Sequence, residues 1–275
     1  MSPIIGSKSG LAASAYGFTA NTKSIVTGGT LYSDATYYYR AFTGSGTLTV
    51  SALDLSADVL VIAGGGGGYV SGLSAGGAGG YRYFSGLLLA TGSYACTVGA
   101  GGVGETGYSV SDNTKGVNSS FQGGAYSYAS TGGGSPGISG SSGGSGAGNN
   151  GTGNEGGYTP AEGYDGKTFA SGGAGGPATN TGLYGTAGPG SSAQSAWGAA
   201  TGLGENVSGT YYFAGGAGNG KDTYQGIAQG ASGAGQAGSG GGGLAGGRNA
   251  TVNSWYAAGN GQNGAIIIRY LKTAV

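Results

Sequence analysis

The stretch VLVIAGGGGGYVSGLSAGGAGGYRYF, residues 59–84, decides the architecture of this chain. It opens with a short apolar run that leads directly into a glycine cluster. Nucleotide-binding folds begin in a similar way, with a strand, a glycine turn and a helix whose N-terminus holds a pyrophosphate. That fingerprint requires glycines at positions i, i+2 and i+5. No frame that begins within residues 64–66 satisfies it, because the third position is then Tyr, Val or Ser.

The residues after the glycine cluster do not favour a helix either. Residues 69–80 lack an i, i+3, i+4 apolar stripe, and each glycine would cost a helix about 1 kcal/mol. The apolar run at residues 59–63 is typical of a strand that is buried on both faces. We therefore expect a buried strand that leads into a glycine structure, and no dinucleotide cofactor.

The composition excludes several classes of function. Of 275 residues, 72 are glycine and only 7% are charged, against about 25% in an ordinary globular domain. Ten basic residues balance ten acidic ones, so there is no basic field to attract nucleic acid. The chain has no histidine and a single cysteine, Cys96, which removes the commonest general base and any thiolate metal cluster. We expect no cofactor, no metal and no nucleic-acid partner.

Acidic and serine residues do not form a recognisable catalytic pattern. Paired carboxylates could hydrolyse a glycan, but most of the ten acids stand beside Gly, Asn or Thr, as in YDGK at residues 164–167. Such positions are typical of solvated turns. A serine nucleophile has no histidine partner, and no GxSxG elbow is present. We expect no catalytic residues, and hence a protein that is not an enzyme.

The sequence also predicts no insertion into a membrane. No run of eighteen apolar residues is present, and the opening 18 residues lack the basic region and apolar core of a secretion signal.

Glycine-rich composition without a strict period usually indicates a flexible chain. Here the very low charge and the even spread of 20 Tyr, 6 Phe and 2 Trp favour an ordered structure instead.

Four zones can be distinguished along the chain. Residues 1–25 are small and polar, and residues 26–63 alternate like strands. Residues 64–263 form a glycine-rich body with a few strands. Residues 264–275, GAIIIRYLKTAV, contain an apolar run that we expect to pair with residues 59–63 in one sheet.

Turn residues connect the predicted strands at two places. YYYRAF (residues 37–42) and TLTV (residues 47–50) are separated by GSG, which we expect to be the turn between them. YRYF (residues 81–84) and SYACTV (residues 93–98) flank a hairpin-like segment. No helix longer than one or two turns is expected.

The body repeats a short unit with irregular spacing. Similar octets occur as SAGGAGGY (residues 74–81), ASGGAGGP (residues 170–177) and FAGGAGNG (residues 213–220). Collagen requires an unbroken Gly at every third residue and abundant proline, so it is excluded. Extended threefold helices make no internal hydrogen bonds, and bare glycine lets them approach closely and bond sideways. We expect a mainly β fold: a small β-sheet or β-sandwich joined to a bundle of polyglycine-II helices, with essentially no α-helix.

The order of these blocks resembles a known family. FTGSGTLTV, DVLVIAGGGGG, AGGAGGYR, SYACTVGAGGVG and SFQGG, followed by a long glycine tract that ends in GAIIIRY, are similar to the glycine-rich domain of bacteriophage tail-fibre and appendage proteins. The opening MSPIIGSKSGLAASAYGF is similar to the N-termini of marine, cyanophage-like structural proteins. A related glycine-rich fold occurs in the extracellular part of anaplastic lymphoma kinase, but the cysteine bridges and transmembrane segment of such a receptor are missing from this sequence.

The resemblance implies a non-enzymatic virion protein, in a tail fibre or tail appendage that takes part in host attachment. It implies other virion proteins as partners through residues 1–25, a host surface glycan or protein as receptor, and a homo-oligomer, for which we expect a trimer. The open alternatives are a capsid decoration or head-fibre protein without a receptor role and, less favoured, an ice-binding protein.

Aromatic residues among polar, turn-like neighbours are the candidate receptor contacts, because amphipathic rings give contact area at low entropy cost. The alternative is that these rings pack over the glycine segments. The candidates are Tyr184, Trp197, Tyr211, Tyr212, Tyr224, Trp255 and Tyr256.

Overall fold

The fold consists of two five-stranded antiparallel sheets and a glycine-rich region at one end of them. The computed structural model describes residues 23–70, 74–107, 113–137, 140–179, 185–218, 238–243, 247–249, 254–256 and 258–275. The strands are β1 (Ile25–Thr27), β2 (Thr30–Ser33), β3 (Tyr37–Phe42), β4 (Gly46–Ser51), β5 (Leu55–Ile62), β6 (Tyr81–Leu89), β7 (Gly92–Thr97), β8 (Ser119–Gly123), β9 (Tyr126–Ser130), β10 (Glu205–Val207), β11 (Thr210–Tyr212), β12 (Gly247–Asn249), β13 (Ser254–Tyr256) and β14 (Ala265–Leu271).

The predicted fold class is confirmed, and the sheets form a sandwich. The first sheet has the order β1-β4-β7-β8-β9, and the second has the order β2-β3-β14-β5-β6. Two short hairpins, β10-β11 and β12-β13, stand apart from these sheets. Helix α1 (Ser195–Thr201) is the one α-helix of the described residues, and a 3-10 turn covers Lys272–Ala274.

The hairpin expected between residues 81–84 and 93–98 is wrong, whereas the turn expected between residues 37–42 and 47–50 is present. Strands β3 and β4 lie in different sheets, and so do β6 and β7. The intervening turns therefore carry the chain from one layer of the sandwich to the other. A short turn rich in Gly, Ser and Thr can serve either as a hairpin or as such a corner, so the turn residues alone do not distinguish them.

The last strand occupies the middle of the second sheet, as the sequence predicts. β14 pairs with β5, with Ile267 opposite Leu60, and on its other side it pairs with β3. Residues 59–63 and 265–268 are fully buried. Two continuous apolar runs therefore form the centre of a sheet that is covered on both faces.

Side chains from the inner faces of both sheets form the sandwich core. Leu48, Tyr94 and Phe121 from the first sheet meet Val59 and Ile268 from the second, and all are at most 1% exposed. One open side of the sandwich is closed by Phe84 and Tyr128, whose stacked rings lie 3.8 Å apart. This half of the molecule is thus an ordinary side-chain core.

After β5 the backbone leaves the sheet and forms hydrogen bonds to several separate extended segments. In residues 63–69 the backbone N–H groups point to three neighbours in turn, and the direction repeats every third residue. Gly64 and Gly67 donate to the carbonyl groups of Val117 and Thr114, at 3.0 and 2.9 Å. Gly65 and Gly68 donate to residues 262 and 259, and residues 63 and 66 donate to residues 80 and 77. A period of three with no internal bond is the pattern of a polyglycine-II helix.

The carbonyl groups of this central segment face three further neighbours. Gly64, Gly65 and Gly66 accept from the N–H groups of residues 133, 102 and 243, at 2.7–2.8 Å. Six extended segments therefore surround residues 63–69. We call the laterally bonded segments the glycine array; they are residues 63–69, 74–80, 99–105, 113–118, 131–135, 143–148, 169–175, 214–217, 240–243 and 258–264.

Close approach of these backbones explains the glycines. A Cβ added to Gly66 would lie 2.1 Å from the carbonyl oxygen of Gly134, and one added to Gly67 would lie 1.8 Å from that of Val103. Real Cβ atoms never come so near to backbone oxygen. The glycines are required here by space between segments, since their φ angles are not in the left-handed region.

The three octets lie side by side in the array. Ala78 of the first donates to Gly172 of the second, and Ser171 and Ala174 of the second donate to Ala217 and Ala214 of the third. The described parts of the three repeated octets therefore form one row of neighbouring segments.

Side-chain oxygens take the place of a missing neighbour at the border of the array. Asn263 and Asn260 accept from the N–H groups of Gly101 and Gly104, at 2.9 and 2.8 Å. Their spacing of three residues matches the period of the segment that they cover. Asn118 accepts from Gly132 at 2.8 Å in the same way. Backbone donors that find no main-chain acceptor are thus still paired.

Both described chain ends lie at the end of the sandwich remote from the array. β5 runs towards the array and β14 runs away from it, because residues 63 and 264 already belong to array segments. The N–H group of Ser24 donates to Ala274 at 2.9 Å, and Lys23 Nζ donates to the carbonyl oxygen of Val275. The array therefore projects from the end opposite to residues 23 and 275.

Candidate functional site

Aromatic side chains gather on the outer face of the second sheet. Alternation along β3 places Tyr37 and Tyr39 on this face, and β6 contributes Tyr81 and Tyr83. Helix α1 lies over part of the face and brings Trp197 against it, with the ring of Tyr39 5.9 Å away. An aromatic patch thus forms where the sheet meets the helix.

A charged pair stands within this patch. Arg269 of β14 lies directly opposite Asp58 of β5, and its Nη2 and Nε donate to Asp58 Oδ2 at 2.6 and 3.2 Å. The guanidinium also lies over the Tyr37 ring at 4.3 Å and the Trp197 ring at 5.0 Å. A planar guanidinium suits both contacts at once.

Charge and burial act on the ionisable groups of the patch. Burial by itself lowers the pKa of Arg269, but the hydrogen bonds and the negative charge of Asp58 raise it by more. Burial and then the Asp58 charge raise the pKa of Tyr83. Arg269 therefore stays charged and Tyr83 stays a neutral hydroxyl at physiological pH.

A second acid fixes the turn that precedes Tyr37. Asp34 Oδ1 accepts from the N–H groups of Thr36 and Tyr37, both at 2.7 Å, and Asp34 Oδ2 accepts from the Tyr39 hydroxyl at 2.6 Å. Burial would raise the pKa of Asp34, but these hydrogen bonds, first of all the one from Tyr39, lower it overall. The turn and the first aromatic residue of β3 are thereby held in place.

A shallow cavity of about 210 Å³ opens beside the charged pair. Its lining residues with polar side chains are Tyr37, Ser56, Asp58, Arg269 and Tyr270. Leu271 adds an apolar rim that is 45% exposed. We call Tyr37, Asp58, Tyr83, Trp197 and Arg269 the Arg269 cluster. All but Trp197 come from strands of one sheet, so their backbone positions are fixed by the sheet ladder.

The predicted aromatic contacts fall in different environments. Trp197 is 2% exposed and packs in the core between α1 and the sheet, which corresponds to the alternative that such rings serve packing. Tyr211 and Tyr212 are half-buried on β11. Trp255 and Tyr256 belong to β13, whose backbone pairs with β12. Tyr184 and Tyr224 lie outside the described residues.

Of the Arg269 cluster, sequence reasoning named Trp197 alone, although a signal for the charged pair was present. Asp58 and Arg269 are single charges inside otherwise apolar strands, in ADVLVI and AIIIRYL. A charge inside a buried strand needs a partner. The two strands were expected to pair, so a search for complementary charges on them would have found the contact.

Two acids differ from the expectation of solvated turns. Glu105 and Glu162 are 0% and 1% exposed. Glu162 Oε2 accepts from Thr131 N–H at 2.8 Å and from the Ser130 hydroxyl at 3.2 Å, and Glu105 Oε2 accepts from Val70 N–H. The expectation is wrong at these two positions because carboxylates also serve as acceptors for array segments. Both therefore have structural bonds.

In the part of the chain that the structure describes, no three residues among the His, Cys, Asp and Glu side chains lie together as a metal site. No described helix is long and apolar enough to cross a membrane.

Comparison with known proteins gives a family. The model of the glycine-rich domain matches residues 40–271. No curated protein matches the chain. No solved structure matches it either. The matched range begins within β3 and runs through the glycine array to the end of β14, so it includes most of the sandwich and all of the Arg269 cluster except Tyr37. The chain therefore belongs to the family of glycine-rich domains.

Proposed function

We propose that this protein is a non-enzymatic structural protein of a bacteriophage particle, placed in a tail fibre or tail appendage that contacts the host. The observation that carries the proposal is the glycine array, in which main chains bond directly to main chains in three directions. Such a body has little freedom to bend, because each segment is held by several neighbours. A rigid body with few charges suits a structural protein that holds a contact surface away from the particle.

The position of the chain ends supports an outward-facing array. Residues 23 and 275 lie together at the end of the sandwich that is remote from the array. An attachment to other virion proteins through residues 1–25 would therefore direct the array, and the part of the sandwich next to it, away from the particle. Ser24 and Ile25 already belong to the sandwich.

Low charge also fits display in several copies. With ten basic and ten acidic residues, copies do not repel one another strongly when they stand side by side. A trimer would present three equivalent surfaces, and multivalent contact strengthens weak single contacts.

The test is to locate the protein in purified phage particles from its source. An antibody raised against the recombinant chain, used in electron microscopy, is expected to label the tail or its appendages, and mass spectrometry of the particles should detect the chain. Label on the capsid would favour the decoration alternative. Complete absence from the particles would refute the proposal. Light scattering of the recombinant chain would test the trimer.

A further inference from the structure

We propose that the Arg269 cluster, with the shallow cavity beside it, binds one ring of a neutral sugar. The inference rests on the proposed function in one respect only: it names the class of host-surface ligand that such an appendage would contact. The chemistry of the site is argued from the side chains on this face alone.

The first argument is the charge of the site. Asp58 neutralises Arg269 through two hydrogen bonds. The other lining residues with polar side chains, Tyr37, Ser56 and Tyr270, are uncharged. A phosphate, sulfate or carboxylate would have to compete with Asp58 for the guanidinium. An uncharged ligand pays no such penalty, so charge complementarity favours a neutral one.

The second argument is the arrangement of polar groups. A guanidinium carries five N–H donors, of which the bonds to Asp58 use one on Nε and one on Nη2. The fork therefore keeps further donors for hydroxyl oxygens of a ligand. Ser56 and the Tyr37 hydroxyl, in the same lining, both donate and accept. Sugar hydroxyls also do both, which matches this mixed set.

The third argument is the presence of rings beside the polar groups. Tyr37 lines the cavity and is half-buried, with one ring face covered by Arg269. Tyr83 is outside the lining, is 37% exposed, and meets the Trp197 ring edge-on with centroids 5.7 Å apart. Aromatic faces pack against the C–H faces of a sugar ring while their hydroxyl groups remain in water. A sugar ring has an apolar face and several hydroxyl groups. It therefore suits a site in which aromatic rings stand beside the guanidinium of Arg269.

The fourth argument is size. The cavity of about 210 Å³ is smaller than the roughly 300–1,000 Å³ of pockets that enclose drug-sized ligands. It accommodates a single ring and leaves the rest of a chain outside. The site thus suits the terminal or side-branch unit of a glycan, and a weak contact that display in several copies strengthens.

The experiment is a glycan array followed by NMR titration of the full-length protein with the neutral monosaccharides and disaccharides that score. We expect binding of at least one neutral sugar. Tyr37→Ala should weaken it about tenfold, because the ring wall is lost. Arg269→Lys should weaken it to a similar extent, because an ammonium keeps the charge but lacks the planar fork. Tyr37→Phe keeps the ring and removes only the hydroxyl, so it should weaken binding less than Tyr37→Ala.

The matched control is Tyr164→Ala. Tyr164 is 41% exposed on the glycine-rich side of the molecule, and its loss should leave the sugar affinity unchanged. Circular dichroism of each variant separates loss of the site from loss of the fold, and Tyr37→Ala still tests the site if Arg269→Lys does not fold.

Three results would overturn the inference: no neutral sugar on the array, binding confined to anionic glycans, or affinity that survives Tyr37→Ala in a folded protein. These outcomes are independent of the particle location. Sugar binding with no labelled particles would refute the proposed function alone, and labelled tails with no sugar binding would refute this inference alone.

Discussion

The sandwich and the glycine array are two solutions to the same problem, which is how to fill an interior without water. In the sandwich, Leu48, Phe121 and Ile268 are fully buried side chains that pack between two sheets. In the array, Gly66 is just as buried, but its neighbours are backbone atoms. The first interior depends on apolar area, and the second depends on hydrogen bonds between segments that approach without side chains.

The comparison teaches that tolerance to substitution should differ sharply between the two halves. Side chains can move to other rotamers when a neighbour changes size. Backbone segments that are bonded on several sides cannot shift without breaking those bonds. Adding one methyl group to an array glycine should therefore destabilise the protein strongly, whereas removing one from a sandwich side chain should cost much less.

The largest effect is expected for Gly66→Ala. The new Cβ would stand 2.1 Å from the Gly134 carbonyl oxygen and 2.7 Å from its carbon, so segments must separate and lose bonds. We expect a loss of more than about 4 kcal/mol in the free energy of unfolding, or no folded protein. Urea unfolding followed by circular dichroism measures it.

Gly44→Ala is the control for that substitution. No atom lies within 4 Å of a Cβ at Gly44, and its φ is not in the left-handed region. The expected change is within about 0.5 kcal/mol. If Gly66→Ala were equally harmless, the description of the array as a backbone interior would be wrong.

A smaller effect is expected at the border of the array, for Glu162→Ala. The change removes the acceptor of Thr131 N–H and of the Ser130 hydroxyl in a buried position. Buried unsatisfied donors cost about 1–3 kcal/mol each, so we expect a loss of about 3 kcal/mol in a thermal or urea melt. Glu162→Gln, which keeps a carbonyl acceptor, should recover at least half of that loss. Equal loss in both variants would contradict an acceptor role.

In the sandwich, Ile268→Val removes one methylene from a fully buried side chain at the centre of the second sheet. Such changes typically cost about 0.5–1.5 kcal/mol, and we expect about 1 kcal/mol by the same urea titration. Leu88→Ala, at a side chain that is 60% exposed, is the matched surface control. A cost at Ile268→Val as large as that at Gly66→Ala would erase the distinction between the two interiors.

The last prediction changes no residue and so has no effect on stability. It uses the reactivity of Cys96 to test whether the sandwich core remains closed. The Cys96 side chain is 1% exposed in the sandwich core, and burial raises the pKa of its thiol to about 12. Because the thiolate is the reactive form, alkylation by iodoacetamide at pH 8 should be negligible in the native protein and fast in urea.

The same reagent tests whether the two halves unfold together. Continued protection of Cys96 in a Gly66→Ala variant whose array bonds are lost would show that the sandwich persists by itself. Rapid labelling would show that one cooperative unit includes both regions, since β5 and β14 run directly into array segments.

Local patterns predicted the elements better than their partners. The apolar runs at residues 59–63 and 265–268 were recognised as strands of one sheet, because uninterrupted apolar sequence of this length suits a doubly covered strand. The hairpin partner expected for β6 was wrong, and no partner was predicted for β3. A turn of two to four small residues gives the chain a change of direction but does not state whether the next strand joins the same sheet or the facing one.

The sequence predicted that aromatic residues would form the candidate site, but not which part of the chain supplies the exposed ones. Aromatic recognition was expected among residues 184–256, whereas the partly exposed rings beside a charged pair come from β3 and β6. Asp58 and Arg269 are distant in the sequence and become neighbours through the register of β5 and β14. That register is set by packing across the whole sheet, so no short window of sequence contains it.

The sequence by itself determined that this chain is mainly β, almost without helix, and that its glycines form bare extended segments, because low charge, glycine abundance and absent helical periodicity are local properties. Only the tertiary structure decided how those segments surround residues 63–69 and which oxygens complete the border. It also decided which charges meet on the outer sheet. These are contacts between distant parts of the chain, and a glycine segment, which has no side chains, carries no local information about its neighbours.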